Sequence, residues 1–348
     1  MPPAKNDRSI DGPDSLVLLV SSSPHIHEPL DTKTIMRSVV LSLCPATLVG
    51  IAFFGIDALR VVLLSVGFCL LSEWLFLKAM RRPSTLSDWS AAVTGILLAM
   101  NLPSGSPWWL VLVGAFIAVV LAKQVYGGLG RNPFNPALVA RVFLLVAFPA
   151  QMTTWVLPRG PWTPLDATTG ATPLGVLEKA AGAGRTLAEA DLTPLWKLFV
   201  GMHGGSLGEV SVVALLLGGG FLLFRGIIRW YIPISFIFVV FAVTGVAHWL
   251  APERCASPFY HVLSGGLILG AFFMATDLVT SPVTLKGMLV FGVGCGLITS
   301  AIRLWGGYPE GVSFSILLMN GATPLIDRYT KPRVFGEPGR LDKEVVWS

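Results

Sequence analysis

Charge is scarce in this chain. Only 13% of its 348 residues are Asp, Glu, Lys or Arg, while 53% are hydrophobic, and the mean hydropathy is +0.70. Soluble domains carry about 25% charged residues, so the balance excludes an ordinary water-soluble domain. Cysteine is scarce too. Cys44, Cys69, Cys255 and Cys295 are all far apart, which excludes a Cys-x-x-Cys metal or iron–sulfur spacing. Three of the four fall inside apolar runs and read as small buried hydrophobes. Any electron carrier is therefore something other than a cysteine-bound cluster. Histidine offers no haem or metal set. His25 and His27 stand two apart, a spacing that suits neighbouring ligands on an extended chain, but no ligand cluster accompanies them, and a polar membrane-surface segment is the better reading. His203, His248 and His261 have no matching partner. The first 34 residues lack a long apolar stretch, so no cleavable leader is expected, and Leu16–Val20 is too short to span; it is expected against the membrane surface or a neighbouring subunit. The net charge of +5 does not point to nucleic acid, because the basic residues sit between apolar segments, where they orient the chain in a membrane.

What is present is a series of apolar runs. A spanning helix needs roughly 20 mainly apolar residues. Ten candidates are read at about 35–54, 59–79, 88–102, 107–126, 136–156, 208–226, 230–250, 261–277, 284–304 and 313–329. If they alternate, Lys5, Arg8, Lys33 and Arg37 share one side with Lys78, Arg81, Arg82, Arg131, Arg225, Arg229, Arg328, Lys331, Arg333, Arg340 and Lys343. Basic loops face the cytoplasm, which puts both termini there and the 157–207 loop in the periplasm. Trp108, Trp109, Trp155, Trp162, Trp230 and Tyr231 lie at helix ends and fit interfacial belts.

The two halves echo each other. Gly95-Ile96-Leu97-Leu98-Ala99 precedes a break, Ser106-Pro107, a span and Tyr126-Gly127-Gly128; Gly266-Leu267-Ile268-Leu269-Gly270 precedes a break, Ser281-Pro282, a span and Trp305-Gly306-Gly307. The units begin five spans apart, and an odd offset inverts the second relative to the first. The expected fold is an all-α membrane protein, a five-plus-five inverted repeat with broken helices meeting near the midplane. Its parts would be a cytoplasmic segment 1–34, a first membrane half 35–156, a periplasmic loop 157–207, a second half 208–330 and a cytoplasmic tail 331–348.

The sharpest chemical signal lies in that loop: Asp166-Ala167-Thr168-Thr169-Gly170-Ala171-Thr172. A threonine hydroxyl is a weak nucleophile, but a separate enzyme can modify it where the neighbours are small and the backbone is exposed. Asp166 could orient the segment or bind a metal used by the modifying enzyme. The same residues also read as a helix N-cap, since Pro173 suits a first helical turn. Asn320-Gly321-Ala322-Thr323-Pro324-Leu325 nearly repeats the motif, but it falls at a cytoplasmic helix end, and Thr323 is read as structural. Ionisable residues inside spans default to functional candidates. Asp277, at the break of the eighth span, is the candidate for the ion path. Lys123, Arg141 and Glu73 lie near cytoplasmic ends, and Lys123 and Arg141 are expected to snorkel to the interface.

With Gly130-Arg131-Asn132-Pro133-Phe134-Asn135-Pro136, Ala275-Thr276-Asp277 leading to Thr280-Ser281-Pro282, and Gly311-Val312-Ser313-Phe314, these motifs resemble the RnfD proteins of Rnf complexes and, more distantly, the NqrB proteins of sodium-pumping NADH:quinone reductases, over about residues 20–330. The resemblance implies FMN joined through its phosphate to Thr172, with Asp166, Thr169, Gly170 and Ala171 around it, and allows a second, non-covalent flavin such as riboflavin. It implies one membrane subunit of an ion-translocating ferredoxin:NAD oxidoreductase in a bacterial inner membrane. The partners would be the other Rnf proteins (RnfA, RnfB, RnfC, RnfE and RnfG), a flavin transferase, membrane lipid and Na⁺ or H⁺, with no nucleic acid. Two alternatives stand beside it: the quinone-reductase protein, whose cytoplasmic N-terminal segment is usually longer than the 34 residues here, and a channel or transporter for a small neutral solute with the loop motif incidental.

Overall fold

The computed structural model describes residues 31–158, 169–182, 186, 192–209, 211–308 and 310–331. Leu16–Val20, His25, His27 and Trp162 lie outside the described residues. The described backbone is overwhelmingly helical. In chain order the helices are α1 (Thr32–Phe54), α2 (Ile56–Ala79), α3 (Ser90–Met100), α4 (Trp108–Phe116), α5 (Pro136–Ala147), α6 (Pro149–Met152), α7 (Pro173–Gly182), α8 (Leu195–Val200), α9 (Val212–Phe224), α10 (Tyr231–Leu250), α11 (Pro258–Leu263), α12 (Leu267–Leu269), α13 (Leu285–Trp305) and α14 (Val312–Thr330). Two short strands, β1 (Trp155–Val156) and β2 (Thr169–Gly170), pair antiparallel.

Among the described residues, α1, α2, α10 and α13 are long and apolar enough to cross a membrane, and α3, α4 with its continuation to Gln124, α5 and α9 are shorter apolar helices. Leu48, Leu63, Leu217, Phe238 and Leu297 face outward, and so much exposed apolar surface requires lipid or a partner to cover it. This is an all-α membrane protein.

Packing follows the small residues. α10 lies along α13, α2 along α3 and α4, and α1 along α9. At the α1–α9 contact the backbones touch: a Cβ on Gly218 would collide with the Ser42 carbonyl oxygen. Two helices loosen into π geometry, Ile117–Gln124 after α4 and Gly270–Met274 after α12. Such stretches add a residue per turn and re-aim side chains, a device common at functional sites.

Three expected spans differ from the helices found. The run 136–156 is helical only to Ala147, because Pro149 removes an amide and restarts the chain as α6 before β1. The run 208–226 becomes helical only at Val212, where Ser211 caps α9; residues just before it fold back, with Leu207 and Gly208 amides donating to the Leu102 and Met100 carbonyls. The run 261–277 is divided. α11 ends at Leu263, Gly265 adopts φ +69°, a value open chiefly to glycine, and α12 begins afterwards. In the interior, Asn101 at the end of α3 meets the Met274 sulfur through Nδ2 at 3.8 Å, and Asn135 at the start of α5 donates through Nδ2 to the Met274 carbonyl.

Candidate functional site

The expected modification segment is held at both ends. Thr169 and Gly170 pair with Val156 and Trp155, which ties the segment to the chain that leaves α5 and α6. Thr172 then starts α7. Its Oγ1 accepts a hydrogen bond from the Gly175 amide at 3.0 Å, and its carbonyl accepts from Val176. This is an N-cap, with Pro173 at the first helical position as the sequence allows. Thr169 and Ala171 are exposed, whereas Thr172 is 9% exposed and buried. The segment is therefore pinned rather than loose. Asp166 lies outside the described residues.

The surroundings of the hydroxyl suit an anionic attachment. The free amides of a helix N-terminus carry partial positive charge and favour phosphate oxygens. A Cβ at position 175 would lie 3.0 Å from Thr172 Oγ1, so glycine there keeps space beside the hydroxyl. Beneath the segment lies a loop from α8 to α9. A Cβ on Gly204 would come within 3.8 Å of the Ala171 and Gly170 carbonyls. The neighbouring His203 is 4% exposed; Nδ1 meets the Gly204 carbonyl and Nε2 has no partner. Burial lowers its pKa below the ordinary 6.5, with the Gly204 contact opposing, which keeps it neutral. Thr323, within α14, directs its hydroxyl to the Met319 carbonyl of the same helix and to the Thr280 carbonyl of the loop before α13.

α7 packs on α8 and α11. Leu177 joins a small core with Leu198, Ala256 and Tyr260, and the Tyr260 hydroxyl reaches the Pro173 carbonyl. Between α7 and the end of α13 opens a cleft of about 80 Å³, lined among others by Leu174, Leu177, Glu178, Arg254, His261 and Arg303.

A second cavity, about 90 Å³, is lined by Thr94, Lys123, Asn132, Asn135, Phe272, Phe273, Thr276 and Asp277, with apolar residues from α1 and α9. Both π stretches border it. The Asn-Pro motif supplies its floor: Asn135 caps α5 through Oδ1, and Asn132 Oδ1 is buried without a partner. Asp277 is half-buried at the wall, accepting from the Val279 amide and the Thr280 hydroxyl. The expectation of snorkelling is corrected here for Lys123 and Arg141. Lys123 is buried, bonded to both Glu73 oxygens at 3.0 and 3.1 Å and to Ser90 at 2.6 Å, while Gln124 and Thr85 complete the Glu73 carboxylate. The π geometry turns Lys123 inward, where a counter-charge outweighs the reach to the interface.

Arg141 is also buried. It donates to Asn101 at the end of α3, pairs with Glu310, and has Glu209 3.5 Å away. Glu310 also accepts from the Gly266 amide, so the cluster joins the ends of both broken segments. Glu209, Glu310 and Arg303 were not singled out in the sequence. Their signal was present for the two acids: carboxylates bordering apolar runs on the side where basic residues are few.

Residues 19–336 match the model of the NQR2, RnfD, RnfE family. The chain is 46% identical over 326 residues to the D subunit of the Na⁺-translocating ferredoxin:NAD⁺ oxidoreductase complex of Acetobacterium woodii, covering 93% of this chain and 96% of that one. It is 44% identical over 322 residues to the D subunit of the proton-translocating ferredoxin:NAD⁺ oxidoreductase complex of Clostridium ljungdahlii, covering 92% and 96%. It is 41% identical to the D subunit of the ion-translocating oxidoreductase complex of Aliivibrio salmonicida, covering 92% and 99%.

Proposed function

The chain belongs to the NQR2, RnfD, RnfE family, and on that premise we propose that it is the membrane subunit of an Rnf-type ion-translocating ferredoxin:NAD oxidoreductase that relays electrons through an FMN joined by its phosphate to Thr172. It is one subunit of a multisubunit oxidoreductase and not a catalyst alone. One observation supports the attachment above the others: the Thr172 oxygen sits at the amide end of α7 with Gly175 leaving room beside it. An ester oxygen still accepts from the Gly175 amide, and the phosphate meets the positive end of the helix. Thr169, Gly170 and Ala171 present the small-residue approach that a modifying enzyme needs; Asp166 belongs to the same reading.

A flavin supplies one-electron chemistry when bound; the protein supplies place and electrostatics. The β1–β2 pairing and the N-cap fix the root of the tether. A second, non-covalent flavin belongs to the same reading.

For the membrane arrangement, the reading is a ten-span, five-plus-five inverted repeat in the inner membrane, with the termini cytoplasmic, 157–207 periplasmic and the halves at 35–156 and 208–330. The contact of Asn101 Nδ2, at the end of the third span, with the Met274 sulfur of the eighth supports it. Asp277, on the cavity wall, is the assigned contact of the coupled Na⁺ or H⁺.

The test is the intact mass of the chain from cells that make the flavin transferase. The wild type is expected to carry one FMN adduct that disappears in Thr172→Val and persists in Thr323→Val. An unmodified wild-type mass, or an adduct that survives Thr172→Val, defeats the assignment.

A further inference from the structure

Between α2 and α4 runs a groove of about 540 Å³, lined by Leu71, Leu75 and Ala79 from one helix and Leu112, Val113 and Phe116 from the other. Leu71, Leu75 and Phe116 are exposed, so the groove opens outward, away from the core. Ser72 is the one polar residue in its lining. A ring with carbonyl edges needs several placed polar groups, and a single hydroxyl does not provide them. Hydrocarbon needs none. The walls also disfavour a closely packed helix. Spanning helices meet at small residues, and every lining residue except Ser72 and Ala79 is Leu, Val or Phe.

The length of the groove matches one leaflet. On α2 the lining runs from Leu71 to Ala79, eight residues on, or about 12 Å at 1.5 Å per residue. Half of a hydrocarbon core is about 15 Å.

Positive charge collects where α2 ends. Lys78, Arg81 and Arg82 are all exposed. The Arg82 amide donates to the Leu77 carbonyl at 2.9 Å and the Arg81 amide to the Lys78 carbonyl at 3.2 Å, with Arg81 at φ +52°. The chain therefore folds back on the last turn and keeps both arginines beside Ala79. Lys78 Nζ lies 4.7 Å from the centre of the Trp74 ring, which is itself exposed on α2. Among the described residues none of the three cations forms an ion pair. The carboxylates nearest in the chain are committed elsewhere: Glu73 to Lys123, and Asp88 to the Ser90 amide and hydroxyl. A partner helix laid in the groove would fill its walls and leave these charges unanswered. An acyl chain that carries an anionic phosphate answers both. The basic-loop reading puts this end of α2 at the cytoplasmic face, where anionic lipid attracts such clusters.

We propose that the groove between α2 and α4 binds an anionic phospholipid, with one acyl chain along Leu71, Leu75 and Phe116 and the phosphate on Lys78, Arg81 and Arg82.

The test is native mass spectrometry of the full chain, delipidated in detergent and titrated with phosphatidylglycerol or with phosphatidylcholine of the same acyl chains. The wild type is expected to bind the first phosphatidylglycerol severalfold more tightly than phosphatidylcholine. The triple variant Lys78→Gln, Arg81→Gln, Arg82→Gln is expected to bind the two alike. Ala79→Phe, at an exposed position, obstructs the groove while leaving the cations, and is expected to lower the phosphatidylglycerol affinity severalfold. Equal affinities in the wild type, a preference that survives the triple variant, or an unchanged affinity in Ala79→Phe overturns the proposal. A benzophenone side chain placed at position 75 gives a readout in native membranes that needs none of these variants. It is expected to yield a lipid adduct, and cross-linking to protein instead overturns the proposal in favour of a partner helix.

Discussion

Lys123 Nζ lies 3.0 Å from Glu73 Oε2, and the two side chains are 2% and 0% exposed. Removing one member of such a pair strands a charge in a low-dielectric interior, at a cost of about 3–5 kcal/mol. Glu73→Gln is expected to lower the thermal midpoint in detergent sharply. Glu73→Leu combined with Lys123→Met is expected to recover most of that loss. Thermal unfolding of the three proteins checks both statements.

Arg141 holds Asn101, Glu310 and Glu209 together. Its planar fork is what allows one side chain to serve partners from different segments, so lysine is a poor substitute. Arg141→Lys is expected to destabilise by at least about 1.5 kcal/mol, and Arg141→Gln by about 3–5 kcal/mol. Limited proteolysis in detergent, read at the 200–211 segment, is expected to accelerate in both.

The α1–α9 contact offers a contrast within one helix. A Cβ on Gly218 would run into the Ser42 carbonyl, while one on Gly220 meets nothing within 4 Å. Gly218→Ala is expected to separate the helices and cost about 1–3 kcal/mol. Gly220→Ala is expected to be neutral or to stabilise by up to about 1 kcal/mol through helix propensity. Unfolding midpoints of the two variants decide it.

His203 sets a pH dependence. Its folded pKa is lowered from 6.5 by burial, so the unfolded chain binds a proton that the folded one refuses. Stability is therefore full above pH 6.5 and falls as the pH drops below it toward the folded value. His203→Gln is expected to flatten that slope. Unfolding midpoints across the acid range measure it.

The long helices were legible from composition alone. The runs at 59–79, 230–250 and 284–304 became Ile56–Ala79, Tyr231–Leu250 and Leu285–Trp305, because a run of that length has one way to satisfy its backbone in lipid. Where the interior is polar, length misled. Pro149 and Gly265 broke two runs that hydropathy joined, and the fold-back of Leu207 and Gly208 delayed α9. The threonine motif was legible as a cap, and the capping bond from Gly175 is in place. The partners of Lys123 and Arg141 were not, since Glu73 is 50 residues and Glu310 169 residues away in the chain. Pairings across such separations leave no local trace.

The strand pair Val156–Thr169 and Trp155–Gly170 moors one side of the motif to the chain leaving α5, and Leu177 and Pro173 moor the other side to Tyr260 in α11. Gly170 to Thr172 is thus a short bridge between two anchors. A displacement of Tyr260 relative to the Trp155–Val156 strand would load those three residues directly, and so turn the Thr172 hydroxyl at their end.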